Sequence, residues 1–337
     1  MRIAEINDIA SVASEIAAGL RERGHEVTLL QPRLVGANLH PLVKPIIGPA
    51  RAIDWLDLIH TMRRDKFDLA HIHYAYLGNV GRLGGFPYIL HCHGTDMRGS
   101  TVFTRPLIRN ALRGAKHVFF STPDLAHYVR PIRPDAEFLP NPIDSDTFKP
   151  ECAPSHHKPV YICCALTEIK GAPRLLSACR RLAEERPDIR FTAHAGGPYT
   201  ADFAALPNVT ILRRQPRWKL PDIINQHGAV LGWVRLGIAG MAELEAMACG
   251  RPVITWFNQM HAYSEEPPFV TAVDGIDIAN AVVNLVDNPE VRDLIGAKSR
   301  DWVRRFHSLD AATSRVEEVA LAIANGQPIP KRLSPAA

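Results

Sequence analysis

The spacing of apolar residues divides the chain into short β-branched runs separated by stretches with apolar residues three and four apart. Ile3 to Ile6 is the first run. Val12, Ile16, Ala17 and Leu20 then follow helical spacing, Arg21-Glu22-Arg23 forms an exposed end, and Gly24 stops the helix. His25 to Leu30 is a second run, which completes a strand–helix–strand opening of Rossmann type. The same rhythm recurs. A helix over 53–64 precedes strands at Leu69–His73 and Tyr88–Cys92, and a helix over 104–116 precedes a strand at 117–122. After a Pro-rich stretch come a strand at 160–165, a helix to about residue 185, and strands at 189–193 and 208–212. A helix over 220–226 and a strand at 229–231 follow. Residues 277–287 and 289–306 read as closing helices. The alternation predicts an α/β protein with parallel sheets.

The centre of this pattern is Glu243-Leu244-Glu245-Ala246-Met247-Ala248-Cys249-Gly250-Arg251-Pro252-Val253-Ile254. Strong helix formers run into Gly250, placed for a left-handed cap. Pro252 ends the helix, and a β-branched strand follows. Glu243 and Glu245 lie two apart and so point to different faces. By composition alone both read as solvated charges. The segment before them changes that reading. Gly232, Gly237 and Gly240 break up the chain between strand and helix, and a strand, a glycine-rich loop and a helix N-terminus together form an anion site.

The length of 337 residues suits two domains of ordinary size. With 46% apolar and 22% charged residues the composition is that of a globular protein, and a net charge of +4 gives no argument for nucleic acid. Cys92, Cys152, Cys163, Cys164, Cys179 and Cys249 form no CxxC and mostly sit in apolar runs, as small core residues in a reducing compartment do. The N-terminus enters a strand directly without a signal peptide's apolar core, and no stretch of about 18 apolar residues occurs. The expected location is cytoplasmic, with a peripheral membrane contact left open. The helix over 104–116, with Arg105, Arg109 and Arg113 on one face, reads as a solvated face or as a surface for anionic lipid or an acidic acceptor.

Gly240 to Ile254 resembles the signature of family 4 glycosyltransferases. So do Arg23-Gly24-His25-Glu26-Val27, Leu139-Pro140-Asn141-Pro142-Ile143-Asp144 and Lys170-Gly171, in family order. The resemblance implies the GT-B fold, two Rossmann-like doubly wound domains facing a cleft. It also implies transfer of a sugar, hexosyl or N-acetylhexosaminyl, from a nucleotide diphosphate to an acceptor hydroxyl with retention of configuration. The expected limits are 1–147 for an acceptor-side domain and 159–308 for the donor domain, with the boundary in the Pro-rich segment 148–159. A helix over 309–325 would return toward the first domain, and 326–337 would form a tail.

By the same resemblance Glu245 binds the nucleotide ribose, and the N–H groups of Gly240, Met241 and Ala242 face the diphosphate. Lys170 meets the leaving group, and His93 contacts the sugar near the reacting carbon. Asp96 and Asp8 fall on the acceptor side. The family's earlier Glu is replaced by Gly237 and an arginine by Ala165; Arg235 is the replacement cation to test. The first loop, Asn7-Asp8-Ile9-Ala10-Ser11, lacks the family's glycine pair. No metal or bound cofactor is expected. Asp144-Ser145-Asp146 has DxD spacing but lies in a Pro-rich connector. The co-substrate would be UDP- or GDP-linked, and the acceptor a glycan, a lipid-linked sugar or a small molecule. Three departures keep two alternatives open: a non-catalytic protein binding a glycan or sugar nucleotide, and a nucleotide-sugar epimerase on the same fold.

Overall fold

The structure is a computed structural model, which describes residues 1–33, 48–151 and 159–331. Residues 34–47 of the expected surface loop, 152–158 of the expected boundary and 332–337 of the expected tail lie outside them. Two compact units emerge among the described residues, one built from Met1–Pro142 and residues 309–331, the other from Ile143–Ser308.

In the first unit β1 (Arg2–Ile6), α1 (Val12–Glu22), β2 (Glu26–Leu30), α2 (Gly48–Arg64) and β3 (Leu69–His73) open the alternation. They are followed by α3 (Gly78–Gly84), β4 (Tyr88–Cys92), α4 (Thr95–Arg98), α5 (Arg105–Gly114), β5 (His117–Phe120), α6 (Ala126–Val129) and β6 (Glu137–Phe138). All strand pairs are parallel, in the order β2-β1-β3-β4-β5-β6. One sheet face is apolar. Ala4, Ile6, Ala70, Ile72, Leu90 and Cys92 pack with Leu58, Ile59 and Met62 of α2 and Ile108, Ala111 and Leu112 of α5.

In the second unit β7 (Val160–Ile162), α7 (Ala172–Glu185), β8 (Phe191–His194), α8 (Thr200–Ala204), β9 (Val209–Leu212) and α9 (Leu220–Asn225) come first. β10 (Ala229–Leu231), α10 (Met241–Ala248), β11 (Val253–Thr255), β12 (Val270–Thr271), α11 (Gly275–Asp287) and α12 (Pro289–Phe306) complete it. This sheet is also parallel, in the order β12-β11-β10-β7-β8-β9. The last helix, α13 (Leu309–Ala324), belongs to the first unit. There Thr313 lies against Gly19 of α1, and Arg315, 1% exposed, donates to Glu137 at 2.6 Å.

Some elements differ from the sequence reading. α2 begins at Gly48, inside the stretch expected as loop. The glycine-rich residues 78–84 form a helix because those glycines sit in close quarters: a side chain on Gly81 would meet Tyr88 at 2.5 Å. Packing there outweighs the poor intrinsic propensity of glycine.

Candidate functional site

In a doubly wound sheet, ligands bind beyond the carboxyl ends of the strands where the strand order reverses. The second unit reverses between β7 and β10, so the loops that leave those two strands share one edge. They meet through backbone: the Val234 N–H donates to the Lys170 carbonyl at 3.2 Å. Gly171, at φ +91°, lies so close that a side chain there would meet Val234 at 2.5 Å. Lys170 places its ammonium over the indole of Trp233. These loops frame the start of α10, where Gly240 is the N-cap and Met241 and Ala242 lie in the first turn. First-turn N–H groups have no acceptor within their own helix, and the helix dipole adds positive potential.

Both glutamates of α10 are buried, Glu243 fully and Glu245 at 3% exposure, which rules out the solvated reading that composition alone gave. Glu243 is spent on the loop. Its carboxylate accepts from the Trp233 N–H at 2.8 Å and the Gly240 N–H at 3.2 Å. Burial pushes Glu243 up, against the pull of Lys170 and those amides. Gly232 is required beside it, because a side chain there would strike Glu243 at 2.5 Å. Glu245 accepts from Arg217 Nε at 2.7 Å, and burial pushes it up while Arg217 opposes the shift.

Gly237 stands in the left-handed region at φ +70°, and a side chain there would meet Asn258 at 2.5 Å. A glutamate at this position would be strained and crowded, so the loop is built around glycine. Arg235 pairs with Glu168 on the surface, bonding its carbonyl at 3.1 Å and its carboxylate.

The first unit reverses between β1 and β3, and a second polar cluster sits there. Register places Glu5 opposite His71 and His73 opposite His91, all on the sheet face away from the apolar core. Glu5 Oε1 lies 3.0 Å from His71 Nδ1, and Oε2 lies 2.8 Å from His73 Nε2. His73 Nδ1 lies 2.8 Å from His93 Nε2. Glu5, His71, His73 and His91 are fully buried, whereas His93 reaches partly into solvent. Burial alone would push Glu5 up; the charge and hydrogen bond of His71, with the hydrogen bond from His73, outweigh it and hold the carboxyl at about 2. Burial pushes His73 down, and His91 and His93 well down.

His71, His73 and His91 offer nitrogens all within 4.8 Å of one another. Tetrahedral zinc bonded at 2.0–2.1 Å holds its ligand nitrogens about 3.3 Å apart. Both nitrogens of His73 are engaged, by Glu5 and by His93, so the three rings do not form a finished metal cage.

The turn after β4 depends on Gly94 at φ +117° and on Asp96. The buried Asp96 carboxylate accepts from the N–H groups of Ala75 at 2.8 Å, His93 at 3.2 Å, Gly94 at 2.7 Å and Met97 at 3.0 Å. Its work in this structure is to hold the loop that carries His93. Asp8 accepts from the Ser14 N–H of α1 at 3.2 Å. In the same loop Asn7, Ala10 and Ser11 all take positive φ without being glycine. Tyr74, directly after His73, does the same at φ +99°. Strain of this kind collects at functional rims.

Lys170, Arg235, Gly237, Gly240, Met241, Ala242 and Glu245 therefore lie in one unit, and Asp8, His93 and Asp96 in the other. Sequence reasoning did not single out Arg217, Trp233, Glu5 or His73 as site residues.

A family model described as "Glycosyltransferase Family 4" matches residues 9–147, and one described as "Glycosyl transferase-like" matches 174–318. No curated protein matches by sequence. Sucrose-phosphate synthase from Thermosynechococcus elongatus has a similar structure, with a TM-score of 0.75 at 14% identity over 97% of this chain and 100% of that one. HepE of Anabaena, solved with UDP, gives 0.72 at 12% identity over 96% and 100%. A putative UDP-N-acetylglucosamine 2-epimerase from Listeria monocytogenes gives 0.65 at 10% identity over 99% of each chain. At these identities the likeness is one of fold.

Proposed function

The chain belongs to glycosyltransferase family 4, on the GT-B fold, and from that premise we propose that it transfers a sugar from a UDP-linked donor to an acceptor hydroxyl with retention of configuration. The observation that carries this reading is the meeting of the β7 and β10 loops at the start of α10. It gathers Lys170, the first-turn N–H groups and a buried Glu245 at one strand-order reversal. The uridine base is favoured because the structurally similar HepE was also solved with UDP-glucose.

In this reading one oxygen of Glu245 stays with Arg217 and the other takes a ribose hydroxyl. Lys170 leaves Trp233 for the diphosphate, whose departing charge is also met by the N–H groups of Met241 and Ala242. Such groups are fixed before the bond breaks, which is why they stabilise the developing charge so effectively. Arg235 is the second cation, released from Glu168. His93 meets a hydroxyl of the sugar. The acceptor is a glycan, a lipid-linked sugar or a small molecule. For a lipid-linked acceptor, Val102 and Phe103 stand exposed just before the arginines of α5, where they suit a peripheral membrane contact in the cytoplasm.

A panel of UDP- and GDP-linked sugars, scored by thermal shift and then by product mass, tests the reading. A UDP-sugar should stabilise the chain and release UDP, slowly to water and faster with an acceptor. Donor binding with no turnover against any acceptor would make the chain a binding protein, and an epimerised sugar would make it an epimerase.

A further inference from the structure

We infer that Glu5 and His73 are positioning residues that fix which ring nitrogen of His93 carries its proton, so that His93 offers the sugar a hydrogen-bond acceptor. The inference rests on the reading that His93 meets a sugar hydroxyl. The place of the proton follows from which atoms can donate to which.

An ionised carboxylate only accepts. Glu5 stands between two rings, so His71 Nδ1 and His73 Nε2 must both donate to it, at 3.0 and 2.8 Å. A neutral imidazole has one N–H, and that of His73 is spent on Glu5. Its Nδ1 therefore carries a lone pair. His93 Nε2 lies 2.8 Å from that lone pair and must donate. The proton of a neutral His93 is then on Nε2, and its Nδ1, the nitrogen with no partner among the described residues, is an acceptor. A protonated His73 would reverse the last bond and turn His93 Nδ1 into a donor. Full burial of His73 next to His71 and His91 opposes that charge, although Glu5 and Asp8 favour it.

The outer half of the path is held just as firmly. Asp96 clamps the backbone of His93 and Gly94, and Asn7 Nδ2 donates to the His73 carbonyl at 2.9 Å. The rings of His91 and His93 stack with centroids 4.4 Å apart. A single acceptor in a fixed ring discriminates for a hydroxyl and against a carbonyl or an ether oxygen at the same place. The structure thereby points to a donor sugar with a free hydroxyl at that position.

The test is the tautomer pattern of the full-length chain labelled with ¹⁵N-histidine, read at neutral pH by long-range nitrogen–proton correlation. His93 and His73 should each show a protonated Nε2 with a bare Nδ1, and His71 a protonated Nδ1. A His93 with its proton on Nδ1, or with both nitrogens protonated, would overturn the inference. This spectrum needs no variant and no substrate. In Glu5→Leu, His93 should lose its single tautomer, and UDP release from UDP-glucose should slow by about tenfold or more. Affinity for UDP alone should stay unchanged, because the nucleotide contacts lie in the other unit. Glu5→Asp should restore part of the rate. A folded Glu5→Leu chain that keeps the Nε2–H form and full turnover also defeats the inference. Failure of every nucleotide sugar to turn over would sink the transferase reading, and the tautomers would still be measured independently.

Discussion

Arg217 donates its Nε–H to Glu245 at 2.7 Å, and the carboxylate it holds is almost wholly buried. That bond occupies one oxygen, and in the proposed reading the other takes the ribose hydroxyl. Glu243, two residues earlier, has no oxygen to spare, because it holds the amides of Trp233 and Gly240. The two substitutions should therefore fail differently. Glu245→Ala should weaken UDP binding by about 1.5–3 kcal/mol, the value of a hydrogen bond to a charged group. Glu243→Ala should leave the buried Gly240 amide and the half-buried Trp233 amide without an acceptor and lower stability by about 1–3 kcal/mol. Calorimetric titration with UDP and urea unfolding of both variants separate the roles. Equal losses of UDP affinity would remove the ribose assignment.

The first loop gives a prediction about stability. Ala10, exposed and at φ +51°, holds a backbone conformation that costs an L-residue about 1 kcal/mol. Ala10→Gly relieves the strain but makes the unfolded chain more flexible, so the expected gain is about 0.5 kcal/mol. It reads as a higher urea midpoint. A midpoint that falls would show that the loop is not left-handed there in solution.

Much of this was legible in the sequence. Short β-branched runs between helical spacings fix the alternation, and the central parallel strands, such as β3 and β4, must then be buried on both faces. Lys170-Gly171 and the glycines before α10 were readable because backbone geometry demands them: Gly171 and Gly237 both take positive φ. Arg217 was not readable, since nothing in Pro216-Arg217-Trp218-Lys219 says that an arginine turns inward to a glutamate 28 residues later. The buried histidine path was half visible. His71 and His73 alternate with period two, as do His91 and His93, so each pair shares a face. A glutamate in the middle of Arg2-Ile3-Ala4-Glu5-Ile6 must find partners if that strand is buried. What joins the three strands is their order, with β1 beside β3 and β3 beside β4, and order is a tertiary property.

Acid sensitivity should follow from the same cluster. His91 and His93 are held well below the ordinary histidine value, and His73 below it, in each case first by burial. As pH falls through about 6.5 the unfolded chain binds these protons and the native chain does not. Stability is then complete above that value and declines below it, by up to about 1.4 kcal/mol per pH unit for each histidine. Glu5 acts in a lower window. Its carboxyl, held at about 2, gives stability that is present above its ordinary value and lost only as pH falls toward 2. Urea midpoints should hold between pH 7.5 and about 6.5 and fall from there to pH 5.5. His91→Leu, which removes a ring with neither nitrogen hydrogen-bonded among the described residues, should make that decline shallower. A decline of the same slope in this variant would place the titrating groups elsewhere.

Lys170 carries the chemical part of the reading. Its ammonium rests over Trp233 and interacts with the buried Glu243, so it is held at the start of α10. Once donor binding has drawn it from Trp233 to the diphosphate, this cation needs no further reorganisation as the diphosphate departs, and its worth lies in the transition state. Ala165 and Gly237 supply no charge of their own, so the leaving group should depend heavily on this one side chain. Lys170→Ala should lower the single-turnover rate of UDP release from saturating UDP-glucose by about 10²–10³. Arg235→Ala should act in the same direction and more weakly, because that guanidinium must first leave Glu168 on the surface. A lysine that only covers the indole would give a different result, a small loss of stability and a rate within about threefold of the parent, which is under 1 kcal/mol. The rate of Lys170→Ala at saturating donor decides between them, and a near-parental rate would remove Lys170 from the leaving-group assignment.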